Sequence, residues 1–372
     1  MNSQQPPLRF LVIGCGGIFT NAHSNAFFAH PEKLCVTAAC DPSPRACNEL
    51  AEKLASLGEV QTFEDPATAL AACRDKVDAA LILSPHYLHY PLAQTCLEAG
   101  LPVLIEKPVC NNLTETRNLM ALGETHDLLV VAGQNRRYDP KPSWLKKWIS
   151  EDPLHFGEIQ SFDVRAWQNI GAWIATKPDK NADFWILDKE RAGGGVVVSL
   201  LVHYLDMIRH LTGRDFVKVS AQGRFELPFK NGAESSCCAL LTLDNGAVGT
   251  MHGSYVAPRM IQPNECFNLF GEHGYAGDEQ GWKYATTGGA EPDGWEWQFE
   301  GVEDVPLDES LELDPFSFTA QLLDFAQSVQ NGTRPRNAIE NNFNTMAVIE
   351  AIYESMNLGG ISVDVATLEQ KA

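Results

Sequence analysis

Val103-Leu104-Ile105-Glu106-Lys107-Pro108 is an unbroken apolar run that stops on an acid, a base and a proline. A strand buried on both faces reads as a continuous apolar run, so Val103 to Ile105 reads as a central strand of an open parallel sheet. Ligands of such sheets collect beyond the carboxyl ends of the strands. Lys107 therefore stands where a substrate is expected, and Pro108 removes a backbone donor and fixes its own φ there. A strand that merely turns outward at a proline, with a solvated lysine, would carry the same letters.

The neighbouring segments decide between the two. Leu8 to Ile13 is apolar and β-branched and runs into Gly14-Cys15-Gly16-Gly17-Ile18-Phe19, then into a helix-competent stretch. Strand, glycine turn and helix in that order let backbone approach a pyrophosphate at a helix N-terminus. Phe19 stands where the usual pattern has a third Gly or Ala. A second apolar strand, Cys35 to Cys40, ends in Asp41, placed to accept hydrogen bonds from an adenosine ribose. A carboxylate there repels a 2′-phosphate, which favours NAD, with NADP as the second choice. The other role open to Asp41 is a turn or cap before the helix that ends near Leu57.

Alternation continues through strands at Val60 to Phe63 and Val77 to Leu83, the latter running into Ser84-Pro85-His86-Tyr87-Leu88-His89. Helices read from Asp65 to Cys73, Pro91 to Ala99 and Leu113 to Thr125, and a last strand from Leu128 to Ala132. This is a six-stranded doubly wound unit. The first domain is set at residues 1–133 and the second at 134–372.

Length and composition are consistent with that division. A chain of 372 residues exceeds the usual single-domain size. A formal net charge of -20 and a pI near 4.8 would repel phosphate backbones and anionic lipid, so neither nucleic acid nor membrane is an expected partner. The ten cysteines include no C-x-x-C pair, so no zinc site and no disulfide framework is expected, and a reduced, cytoplasmic, soluble protein is. No signal peptide is read in Met1 to Pro7.

In the second domain, Gln134 to Pro140 is a basic patch in an acidic chain, open to a substrate role or to a salt bridge between domains. Gly157 to Gln168 alternates as a long strand, followed by a Trp-bearing excursion with Trp173 and Trp185. Gly193-Gly194-Gly195 then precedes a helix from Val196 to Thr212, along which Ser199, His203, Asp206 and His210 recur at three- and four-residue intervals. The triple glycine lets another group approach the start of that helix closely. Strands at Val217 to Phe225, Ser236 to Leu243, Ala247 to Val256 and Glu265 to Gly271 form a mainly antiparallel sheet with helices on one face. A loop-rich, acidic stretch follows from Asp278 to Leu307. Helices from Phe316 to Asn331 and Asn341 to Leu358 and a strand at Ile361 to Val365 close the chain.

Taken in order, Gly14-x-Gly16, Asp41, Ser84-Pro85 with His89, Glu106-Lys107-Pro108, Asn135-Arg136-Arg137-Tyr138 with Pro140, and Gly193-Gly194-Gly195 before His203 and Asp206 resemble the Gfo/Idh/MocA family of NAD(P)-dependent oxidoreductases. The resemblance implies a Rossmann domain followed by a C-terminal α/β domain whose open sheet joins homodimers or homotetramers. It also implies a cis Lys107-Pro108 bond and hydride exchange between nicotinamide and a secondary alcohol of a sugar, polyol or sugar derivative. Gly14, Gly16, Gly17, Ile18, Asp41, Ser84, Pro85, His89, Glu106 and Lys107 are then the cofactor residues. Ser199 replaces an Asp found in many members, and Ile186 an Arg.

On this reading His203 takes the hydroxyl proton, an imidazole being matched to physiological pH. Lys107 donates to the same oxygen, and Ser199 orients either group. Tyr87, Arg137, Trp167 and Trp185 join Lys107 and His203 as candidate contacts to a carbohydrate-like substrate. Two other classes fit the same letters: a hydrolase that retains its NAD and works by transient oxidation and elimination, and a non-catalytic NAD-binding regulator.

Overall fold

The computed structural model describes residues 5–175, 184–226, 228–257, 264–279, 281–286, 302–311 and 317–371. Its backbone divides into two compact units, Met1–Tyr138 with Leu311–Phe343, and Asp139–Ser310 with Asn344–Ala372. A boundary at residue 133 would leave 311–343 in the second unit. The segment belongs to the first because the helix Phe318–Asn331 puts Leu322, Phe325 and Ala326 into the same core as Phe10, Val12, Phe27 and Leu81. Tyr138 ties it down further, its hydroxyl donating to Asp324 Oδ2 at 2.6 Å with Asn337 Oδ1 2.8 Å away.

In the first unit, β1 (Leu8–Ile13), β2 (Leu34–Cys40), β3 (Gln61–Phe63), β4 (Ala79–Ile82), β5 (Val103–Glu106) and β6 (Val130–Gly133) form one sheet in the order β3-β2-β1-β4-β5-β6. Every pairing is parallel. All four residues of β4, β5 and β6 are buried, which is why they read as continuous apolar runs. The connecting helices start on side-chain caps that the sequence supplies: Ser43 accepts from Ala46 N, Asp65 from Thr68 N and Asn112 from Glu115 N. Strand order reverses between β1 and β4, the switch point where such sheets bind ligands.

The second unit is built on nine strands: β7 (Ile159–Trp167), β8 (Phe216–Arg224), β9 (Ser236–Leu243), β10 (Val248–Ser254), β11 (Glu265–Gly271), β12 (Gly274–Gly277), β13 (Lys283–Thr286), β14 (Glu303–Asp304) and β15 (Val363–Asp364). Their order is β14-β13-β12-β11-β7-β10-β9-β8-β15, antiparallel except where β10 runs parallel to β7. The acidic stretch from 278 to 307 lies largely outside the described residues, as does the side chain of Trp173. By length and composition Lys189–Thr212 could cross a membrane, yet 83% of its apolar window is buried inside the fold, as in the core helix of a globular unit.

The helix expected from Val196 to Thr212 begins as a π-type turn, Val197–Leu201, and becomes α-helical only at Val202–Thr212, ending on left-handed Gly213. The wider turn breaks the simple four-residue spacing between Ser199 and His203.

Candidate active site

At the switch point the chain leaves β1 through Gly14, whose φ is +98° and whose N–H donates to Cys40 O at 2.8 Å. A Cβ on Gly14 would stand 2.7 Å from the Leu83 carbonyl carbon and 2.9 Å from Ser84 N, so glycine is obligatory there. Gly16, by contrast, has nothing among the described residues within 4 Å of the place a Cβ would take, and Gly16, Gly17 and Ile18 are exposed. Phe19 does not plug this opening: it is fully buried beneath it, 5.9 Å from the Phe27 ring.

Asp41 lies just beyond β2. One carboxylate oxygen accepts from Cys15 N at 2.9 Å and the other from Ser43 N at 2.8 Å. The residue thus serves the turn, as the simpler reading held. Each oxygen still has a lone pair for a further donor. An open helix start, a forced glycine and a carboxylate at the second strand end fit a dinucleotide, with Gly14, Gly16, Gly17, Ile18 and Asp41 as the residues to hold it.

The loops after β4 and β5 are joined by His89, which is fully buried. Its Nδ1 faces Pro108 O at 2.8 Å and its Nε2 faces Ser84 O at 2.9 Å. Burial holds this imidazole below its ordinary pKa, and a neutral ring donates to one carbonyl at a time. His89 therefore acts on Ser84-Pro85 and on the cis Lys107-Pro108 bond as a strap between loops.

Glu106 ends β5 with its carboxylate between two partners. His23 Nε2 lies 2.9 Å from one oxygen, and Lys107 N donates to the other at 3.1 Å. Burial alone would raise this carboxyl, but His23 and Lys107 bring it below its usual value. His23 is fully buried, with its ring 4.4 Å from that of Phe318 and its Nδ1 without a hydrogen-bond partner among the described residues. The sequence reading missed His23, and the signal was a lone histidine in the apolar stretch after the glycine turn. Half-buried Lys107 is pushed down to about 8 by burial; Glu106 opposes the fall and Arg136 adds to it.

Arg137 is buried and its guanidinium donates to Arg336 O at 2.8 Å and Asn341 O at 3.3 Å. These bonds make it a clasp on the returning segment, a role the basic patch did not disclose. Tyr87 is exposed, on the short turn His86–Leu88 next to Ser84-Pro85.

In the second unit Ser199 is buried in the π-type turn against the hydroxyl of Tyr255, while His203 keeps partial exposure. Asp206 is buried and accepts from Thr345 Oγ1 at 3.5 Å. Trp167, half-buried at the end of β7, donates through Nε1 to His252 Nδ1 at 3.2 Å and carries the Arg165 guanidinium 5.0 Å above its ring. Trp185 is half-buried in the turn Trp185–Leu187.

The group approaching the triple glycine is Glu234 together with Tyr353. A Cβ on Gly194 would stand 1.7 Å from the Tyr353 hydroxyl, and one on Gly195 would stand 1.9 Å from Glu234 O.

Residues 8–134 match the model of an oxidoreductase family with an NAD-binding Rossmann fold, and residues 143–276 match the Gfo/Idh/MocA C-terminal domain. The chain is 30% identical over 218 residues to a myo-inositol dehydrogenase of Streptomyces leeuwenhoekii, covering 57% of this chain and 58% of that one. It is 26% identical over 233 residues to a D-glucoside 3-dehydrogenase of Escherichia coli, covering 62% and 60%. Neither alignment reaches two thirds of the relative's length. An oxidoreductase domain protein from Kribbella flavida has the same fold, with a TM-score of 0.81 at 21% identity over 97% of this chain and 100% of that one. With a family model matching in each of its two units, the chain belongs to the Gfo/Idh/MocA oxidoreductase family.

Proposed function

We propose that the chain is an NAD-dependent dehydrogenase of a secondary alcohol on a sugar, polyol or sugar derivative, with Lys107 and His203 as its catalytic residues. The observation that carries this reading is the setting of Lys107, a half-buried ammonium at the carboxyl end of β5, beside a Glu106 that is itself held by His23 from the helix after the dinucleotide turn. The names of the two relatives support the substrate class.

When bound, NAD supplies the hydride acceptor. The chain supplies the rest. His203 accepts the hydroxyl proton at an imidazole nitrogen, Lys107 donates to the oxygen as charge develops on it, and Ser199 helps fix the helix that carries His203. Tyr87, Trp167 and Trp185 are assigned to substrate, aromatic faces being suited to sugar rings. Arg137 is assigned through its clasp, not through contact. Ser84, Pro85, His89 and Glu106 shape the nicotinamide end of the cofactor site.

A homodimer or homotetramer through the second sheet is part of the proposal. It is supported by one face on which Leu240 is 57% exposed, Val248 50% and Phe270 40%, with Cys238 exposed beside them. A cytoplasmic setting accords with ten cysteines unpaired by disulfides.

The test is NADH absorbance on a panel that includes myo-inositol and D-glucosides. Turnover is expected in the native chain, and Lys107→Ala and His203→Ala should each lower it at least about 10²-fold with NAD affinity retained. Native turnover that persists in both variants would remove these residues from the chemistry.

A further inference from the structure

The helix carrying Ser199 and His203 begins on the amides of Gly195, Val196 and Val197, and one residue receives all three. Glu234 Oε2 accepts from Gly195 N at 2.9 Å, Oε1 accepts from Val197 N at 2.8 Å, and the main-chain oxygen accepts from Val196 N at 3.1 Å. A helix start leaves its first four N–H groups without intrahelical partners, so a single glutamate meets most of that need. Glu234 is fully buried, and Tyr353 adds a hydroxyl donor at 3.1 Å. The glycines at 194 and 195 leave the space that Tyr353 and Glu234 fill. Among the described residues, the other groups that face the carboxylate are Cys237 on β9, three residues on, and Tyr255 after β10, with the Lys189 ammonium 4.9 Å from the Tyr353 ring.

We propose that Glu234 is the positioning residue of His203: by gripping three successive amides it fixes where this helix begins, so that the proton on one buried carboxyl is felt at the imidazole. The proposal rests on the assignment of His203 as the base. Burial pushes the carboxyl up to about 7, against the opposing pull of the Val197 and Gly195 amides and the Tyr353 hydroxyl. As an anion it accepts at both oxygens. Once protonated it must turn an O–H toward one of its donors and releases an amide.

The experiment uses the full chain saturated with NAD and labelled with ¹³C at histidine Cε1, titrated from about pH 5 to 9. In the native chain the His203 resonance is expected to show two inflections, its own and one at about 7 from Glu234. Glu234→Gln, which keeps one acceptor oxygen and loses the other, should abolish the second inflection and speed exchange of one of the two amides, Gly195 or Val197, at least about tenfold, with NAD affinity unchanged. Tyr353→Phe, which removes only one donor, should move the second inflection upward, and it keeps the test open if Glu234→Gln fails to fold. Superimposable His203 titrations in native and Glu234→Gln protein, or a second inflection unmoved in Tyr353→Phe, would overturn the proposal. Full turnover in His203→Ala would instead sink the base assignment, a result read without these spectra.

Discussion

Two glycine runs lead into two helices here, and the helix starts differ. After Gly14-Cys15-Gly16-Gly17 the start is open, with exposed residues and clear space above Gly16. After Gly193-Gly194-Gly195 it is closed, with Tyr353 and Glu234 seated where side chains would be. Both follow the same electrostatics, since a helix N-terminus draws negative charge to its unpaired amides. In the first unit that anion is left to a dinucleotide; in the second the chain provides its own, from 39 residues downstream. A glycine run signals close approach by something, and only the fold tells what approaches.

Substitutions that fill the two runs should separate them. The largest effect is expected from Gly195→Ala, whose Cβ would meet Glu234 backbone at 1.9 Å. With no flexible side chain to give way, a loss of at least about 3 kcal/mol is expected, read as a lower denaturation midpoint. A midpoint within experimental scatter of the native chain would mean that the second helix start is not closed.

Next in size is the contrast between Gly14→Ala and Gly16→Ala. The first places a Cβ 2.7 Å from backbone at a φ of +98°, so NAD affinity and stability should fall together. The second meets no atom of the described residues within 4 Å, so stability should hold within about 0.5 kcal/mol while NAD affinity alone weakens. Calorimetry of both variants with and without NAD reads the difference. Equal destabilisation by the two would erase the distinction between a structural and a ligand-facing glycine.

The smallest effect is a pH limb. In the proposed mechanism the charged form of Lys107 is the one that stabilises a developing alkoxide, and burial has brought its deprotonation down to about 8. Turnover should therefore decline as pH rises through that value, and Glu106→Gln, which removes a charge that raises it, should shift the decline to lower pH. A decline that stays in place in Glu106→Gln would assign the limb to another group.

Much of this was legible in the letters because the physics was local. Strands β1, β2, β4, β5 and β6 announced themselves as apolar runs, since burial on both faces leaves little else to place there. Gly14, Asp41 and Lys107 could be placed because they sit within a residue or two of strand ends. What stayed hidden depends on partners far apart in sequence. His23 meets Glu106 83 residues later, and Arg137 and Tyr138 meet a backbone carbonyl and a side-chain amide oxygen 199 residues on. Glu234 sits just after the Asn231-Gly232 turn, where periodicity has nothing to say. Phe19 looked like a flaw in a glycine pattern until the core beneath the turn accounted for it.

The most direct test of the central claim follows the transferred atom itself. Incubation of the native chain with NAD and polyols or glycosides deuterated at their carbinol carbons should yield NADH labelled at the nicotinamide C4, seen by mass spectrometry, and Lys107→Ala should lose that label. A chain that binds NAD and leaves it unlabelled with every member of such a panel would contradict the account.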